Sequence, residues 1–244
     1  RLPDERRAVI RDLVRDMAAG MRWSRETLAG SGGVLAGEER LLRYCRHVLG
    51  NPVVFSVRLM RLAHGAPPQL AEEERDHAMW LGEMVQLANI TRDLEKDLQR
   101  GVAYDADLRE YLGCPVNGVD RALAERCRVV RTRMLRLALS RVPSYGRIID
   151  ALRLPRWSIA RASAILMLLF TERHFRGCAR RVGLEAWHGP SSILALFART
   201  IPATFSQARA RAEVARVQSA FLGAAEQIVA APDPVAVAYA RVPT

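Results

Sequence analysis

No apolar run in the 244-residue chain comes near a membrane span: the longest, Ala162 to Phe170, is about half of the ~20 residues needed. The opening residues, Arg1 to Arg7, are charged and predict no secretory leader. The four cysteines (Cys45, Cys114, Cys127 and Cys178) form no CxxC and no paired metal spacing. That excludes a disulfide scaffold and predicts reduced thiols in a cytoplasmic protein. Aromatic residues are 6% of the chain and are not interleaved with its basic residues, which argues against a nucleic-acid stacking platform. The histidines His47, His64, His77, His174 and His188 share no short spacing, so a zinc site is not expected. No Gly-rich phosphate loop follows a strand, no GxSxG occurs, and no segment alternates as a strand would.

Lysine is nearly missing too. Lys96 is the only one, although Lys and Arg together number 37 against 26 Asp and Glu, a net charge of +11. Such an excess favours anionic partners, here diphosphate-bearing substrates or an anionic membrane surface. Hydrophobic residues make up 50% of the chain and charge is well mixed, which excludes intrinsic disorder and allows a sizeable core.

Apolar residues recur at steps of three and four almost throughout. Asp4 to Arg25 places Val9, Ile10, Leu13, Val14, Met17 and Met21 on one helical face, and Gly30-Ser31-Gly32-Gly33 ends that unit. A second helix is predicted from Glu38 to about Met60, kinked or broken at Asn51-Pro52. After a turn over His64 to Gln69, a long helix runs from Glu72 to Arg100, with Gly101 as its C-cap. A loop carries Tyr104, Tyr111, Gly113 and Pro115. Helical patterns then resume over Val119 to Arg141, Ser158 to Val182 and Thr204 to Ala231. The prediction is one all-α domain, residues 1–244, of roughly seven or eight helices.

Within the long helix, Gln86, Asn89, Asp93 and Asp97 follow at steps of three, four and four and project from one face. Two carboxylates a turn apart below an amide make an oxygen-rich surface suited to Mg²⁺, which takes one or two carboxylates plus water and phosphate oxygens. Arg92 and Lys96 lie beside the stripe, within reach of a diphosphate. The same pattern also describes a solvated face with ion pairs such as Asp93–Lys96. Spacing alone leaves both readings open.

The whole string says more. Gln86-Leu87-x-Asn89-Ile90-x-Arg92-Asp93-x-x-x-Asp97, followed by Arg100-Gly101-x-x-Tyr104, resembles the second aspartate-rich motif of the squalene and phytoene synthases, the head-to-head trans-prenyltransferases. Tyr44-Cys45-Arg46-His47-Val48-Leu49-Gly50 resembles that family's Tyr-Cys-x-x-Val-Ala-Gly segment. Asp16 to Met21 resembles its Gly-Met helix, and Leu154-Pro155 precedes a late apolar helix as the family's pattern does. The resemblance implies an isoprenoid-synthase-type bundle around a central apolar cavity. It implies that Asp93 and Asp97, with Asn89, hold Mg²⁺ ions that grip a prenyl diphosphate (farnesyl or geranylgeranyl), and that Gln86, Arg92 and Lys96 bind that substrate. It places Tyr44 near the reacting carbons, as a π-face partner for a carbocation or a proton relay. One allylic diphosphate would ionise, and the double bond of a second molecule would attack the cation to give a cyclopropyl intermediate. NADPH is implied only for the squalene-forming branch. Gln86-Leu87 and the Arg-Gly-x-x-Tyr stretch look closer to the phytoene-type members, whose reaction needs no reductant.

The sequence also departs from the pattern. The helix carrying the family's first aspartate-rich motif falls before the aligned part, leaving three readings: a fragment, a partner that supplies the missing helices, or a non-catalytic relative that binds or assembles. Asp12 and Asp16 form another DxxxD, but aligned by Gly20-Met21 they fall one helix later, and flanking Arg11 and Arg15 suit a solvated face. Asn51-Pro52-Val53-Val54 replaces the small residues expected after Gly50. Greasy products and a basic surface add an expectation of peripheral contact with an anionic membrane.

Overall fold

A computed structural model describes residues 2–114, 121–152, 154–155, 157–183 and 192–230. Pro115, the start of the helix expected at Val119, His188 and Ala231 lie outside the described residues. The rest is all-α. The first helix, α1 (Asp4–Gly30), carries Asp4 and Glu5 in its first turn, where the helix dipole favours negative charge. After it come α2 (Glu38–Cys45), a π-helical turn (Arg46–Gly50) and α3 (Asn51–Ala63).

The second helix, expected to kink or break at Asn51-Pro52, is interrupted by the π turn just before that pair. Pro52 sits in the first turn of α3 and the helix passes straight into it from the π turn. A proline ring normally clashes with the carbonyl four residues back, here Val48, and the wider π turn takes up that clash.

The long helix α4 (Glu72–Gln99) has almost the predicted bounds. Glu72, Glu73 and Glu74 fill its first turn, and the Glu74 carboxylate accepts the Ala71 N–H (3.0 Å) and pairs with Arg61 (2.8 Å). α4 lies at the centre of the molecule, packed on α3, the π turn, α5 (Arg121–Leu139), α6 (Pro143–Ala151) and α7 (Ile159–Arg181). Met84, Leu87, Leu94 and Leu98 are buried in that core. A glycine inside a helix costs about 1 kcal/mol relative to alanine. Gly82 is retained because a Cβ there would collide with the backbone of Gly50, so the two glycines let α4 close on the π turn. Beside them the buried Glu83 pairs with Arg46 and with Arg141 (2.8 Å), tying the π turn and the α5–α6 corner to α4.

Two helices were not anticipated: α6, and α8 (Ile193–Phe205), which precedes α9 (Gln207–Ala230). Buried Arg161 joins α7 to α8 by donating to the carbonyls of Ala203 (3.3 Å), Leu154 (3.3 Å) and Pro155. α9 is held on α7 by the edge-on Phe175–Phe221 contact and by the two-pronged Arg216–Glu172 pair (2.9 and 2.7 Å). The four cysteines are free thiols, and burial pushes Cys127 and Cys178 up to about 11. Among the described residues no helix is long and apolar enough to cross a membrane.

Candidate active site

The site is built at the C-terminal end of α4 by a sharp return of the chain. Gly101 has φ +81°, the left-handed conformation that lets the Val102 N–H reach back to the Asp97 carbonyl (2.9 Å). The chain then runs beside the loop that follows α1. Ala103 N–H donates to Gly33 O (2.9 Å), and Leu35 N–H donates to Ala103 O (2.8 Å). Gly33, at φ +85°, approaches Gly101 so closely that a Cβ would strike the Gly101 carbonyl. The Arg100-Gly101 dipeptide and the Gly-rich break after α1 therefore form one joint, and it delivers Tyr104 back onto the face of α4.

There, the Tyr104 hydroxyl donates to Asp97 Oδ2 (3.2 Å), and Arg100 pairs with the other oxygen at 3.6 Å. Tyr104 is buried, and its ring meets that of Tyr44 at 5.6 Å between centroids, tilted by 46°. Burial raises the pKa of both phenols, and Tyr44 and Asp97 raise that of Tyr104 further. Both hydroxyls therefore keep their protons at ordinary pH, which makes Tyr104 a standing donor to Asp97 and leaves neither phenol a ready base.

One turn N-terminal, Arg92 clasps Asp93 with two hydrogen bonds, 3.1 and 2.6 Å, and that pairing holds the Asp93 carboxyl below its ordinary value. The solvated-face reading offered Asp93–Lys96 as an ion pair; in the structure Asp93 pairs with Arg92, and Lys96 is exposed. Further along, Asn89 Nδ2 donates to Gln86 Oε1 (3.4 Å), and Gln86 is buried. His174 of α7 stands near the Arg92–Asp93 pair; burial, then Arg92 and Arg173, lower its pKa and keep it neutral. Arg131 of α5 braces the back of the helix, donating to the Thr91 carbonyl (3.1 Å) and pairing with Glu95.

The structure thus brings Gln86, Asn89, Asp93 and Asp97 onto one face, with Arg92 bound to the stripe and Tyr44 reaching it through Tyr104. Tyr104 and His174 were not among the residues chosen from sequence. Tyr104 had a signal in the Arg-Gly-x-x-Tyr string, whereas His174 had none, because it comes from a helix far along the chain. Asp12 and Asp16 are elsewhere: Asp12 pairs with Arg58 of α3 (3.0 Å) and Arg15 (3.4 Å), and Asp16 pairs with Arg15 (3.1 Å). An apolar cavity of about 550 Å³ lies between the α5–α6 corner and α9, lined by Leu139, Val142 and Phe221 and not by the stripe. Among the described residues no group of three or more His, Cys, Asp or Glu side chains converges as a ready-made metal nest.

Residues 1–181 match the family described as squalene/phytoene synthase, and the chain belongs to that family. Its characteristic chemistry is prenyl transfer of the head-to-head type on prenyl diphosphates. No curated protein matches the chain individually.

Proposed function

We propose that this chain is an Mg²⁺-dependent prenyltransferase that condenses two prenyl diphosphates head to head, in the manner of phytoene and squalene synthases. The observation that carries the reading is the α4 stripe: two carboxylates a turn apart, two amides above them, and a phenol donating to the lower carboxylate. This donor set fits Mg²⁺, which commonly takes one or two carboxylates and fills its remaining positions with water and substrate phosphate oxygens. Asp93 and Asp97 would hold the ion with Asn89 beside them, and bound there it would supply Lewis-acid stabilisation of the departing diphosphate.

The chain's own groups do the rest. Tyr104 fixes Asp97 by donating to its Oδ2. Arg92 is the natural partner for a diphosphate: on substrate arrival its guanidinium exchanges the Asp93 carboxylate for phosphate oxygens, which frees Asp93 as a ligand. Lys96, exposed one turn on, adds a second positive charge, and Gln86 orients the bound substrate from the buried end. Tyr44 presents a protonated phenol whose ring face stabilises developing carbocation charge.

A second reading rests on one observation. Both carboxylates already have internal arginine partners, Arg92 on Asp93 and Arg100 on Asp97, as in a non-catalytic relative that keeps the bundle for binding or assembly. Incubating the purified chain with Mg²⁺ and farnesyl or geranylgeranyl diphosphate separates the two. Released diphosphate and a condensed hydrocarbon, both lost in Asp93→Ala, support the enzyme. A folded wild type that releases neither supports the relative.

A further inference from the structure

We infer that the outer face of α8, together with Trp157 and Ile159, docks the protein on an anionic lipid bilayer. The helix turns Leu196, Thr200 and Ala203 into the core, while Leu194, Phe197, Ile201 and Phe205 stand exposed on the opposite side at steps of three, four and four. Leu194 keeps 82% of its surface in water. The Ser158 N–H donates to Thr204 O (2.8 Å), which sets Trp157 and Ile159, 57% and 61% exposed, beside the Phe205 end. Six large apolar side chains, four of them on a helix with no acidic residue, thus lie together at one surface. Scattered single exposures are ordinary, but a continuous face of this kind marks an interaction site.

Charge selects the occupant. The only carboxylates among the described residues from 157 to 216 are Glu172 and Glu213, and both are consumed in pairs with Arg216 and Arg199. Arg209 is exposed just past the Phe205 end. An apolar face of Leu, Phe, Ile and Trp with the exposed Arg209 at its edge suits the headgroup boundary of a negatively charged bilayer. The choice of a lipid surface deepens the prenyl-transfer reading and rests on it. Along α7, exposed Met167 and the partly buried Leu166 and Phe170 follow Ile159 in the direction of His174.

Co-sedimentation of the purified chain with phosphatidylglycerol-containing vesicles at low salt tests the inference, with pure phosphatidylcholine vesicles alongside. Wild type should pellet with the anionic vesicles, and Leu194→Asp/Phe197→Asp should partition at least about tenfold less, since it removes two exposed apolar anchors that would enter the bilayer. An unchanged helical spectrum shows that the variant is folded. Brominated acyl chains should quench wild-type emission, and less of it in the conservative Trp157→Phe. Asp93→Ala should pellet like wild type, so failure of the prenyl-transfer assay and failure of docking are read separately. Wild type left in the supernatant with anionic vesicles, or a double variant that pellets as wild type does, overturns docking. So does a wild-type dimer that the double variant splits without any vesicle binding, because the face then covers a second copy.

Discussion

The chain contains two DxxxD patterns on two helices, and tertiary structure gives them different neighbours. On α1, Asp12 and Asp16 share Arg15, and Asp12 reaches across to Arg58, so the pair serves as a brace between α1 and α3. On α4, Asp93 and Asp97 continue a ladder that begins with two amides and ends on the buried phenol of Tyr104. Exposure does not distinguish them, since the side chains of Asp12 and Asp93 are both 33% accessible. The difference is what the opposite segment delivers: an arginine to α1, a tyrosine and a neutral histidine to α4. Carboxylate spacing is therefore a weak signal by itself, and the neighbours brought by tertiary structure decide its meaning.

The comparison predicts its own largest effect. Asp93→Ala should lower condensation by more than about 100-fold, because even outer-shell partners of metal ligands are worth 10–100-fold. Asp12→Ala should leave the rate within about twofold in the same assay, as expected for a surface ion pair. Equal losses in both variants would erase the distinction. Tyr104→Phe comes next, with about a tenfold loss of rate and about 1 kcal/mol of stability from a single hydrogen bond. Chemical denaturation and steady-state kinetics on the same preparation check both numbers.

Gly82→Ala tests how α4 is seated and not its chemistry. The added methyl group has to displace Gly50, so stability should fall by about 1–3 kcal/mol while any remaining folded protein keeps its substrate affinity. The smallest effect is a pH dependence. Arg92 lowers the Asp93 pKa in the folded state, so the pair stabilises the protein above the ordinary carboxylate range and loses that contribution as pH falls through the lowered value. In Arg92→Gln the Asp93 carboxyl should titrate nearer its usual range, as followed by carboxyl-carbon NMR.

Much of this was legible in the sequence. The bounds of α4 were read nearly as they stand, with Gly101 marking its end, and its polar stripe followed from helical period alone. The Asp97–Tyr104 contact was not derivable from spacing, because it depends on the left-handed turn at Gly101 and on the Gly33 loop that clamps it. α8 escaped notice because it is apolar around most of its circumference and carries Pro202 inside, so it shows neither a clean period nor a clean boundary. Arg131 and Arg161 are buried, where sequence reading places arginine at the surface; only the carbonyls they satisfy explain them.

The π turn at Arg46–Gly50 works as a one-residue phase adjuster between two helical segments. An α-helix advances by about 100° per residue, so removing one residue there and restoring α geometry would rotate α2 by about that angle relative to α3. Tyr44 would swing off Tyr104, although every residue of the stripe stayed in place. The alignment of the phenol with the carboxylates is thus set in part by a count of residues outside the stripe, and a one-residue deletion at Val48 is expected to displace Tyr44.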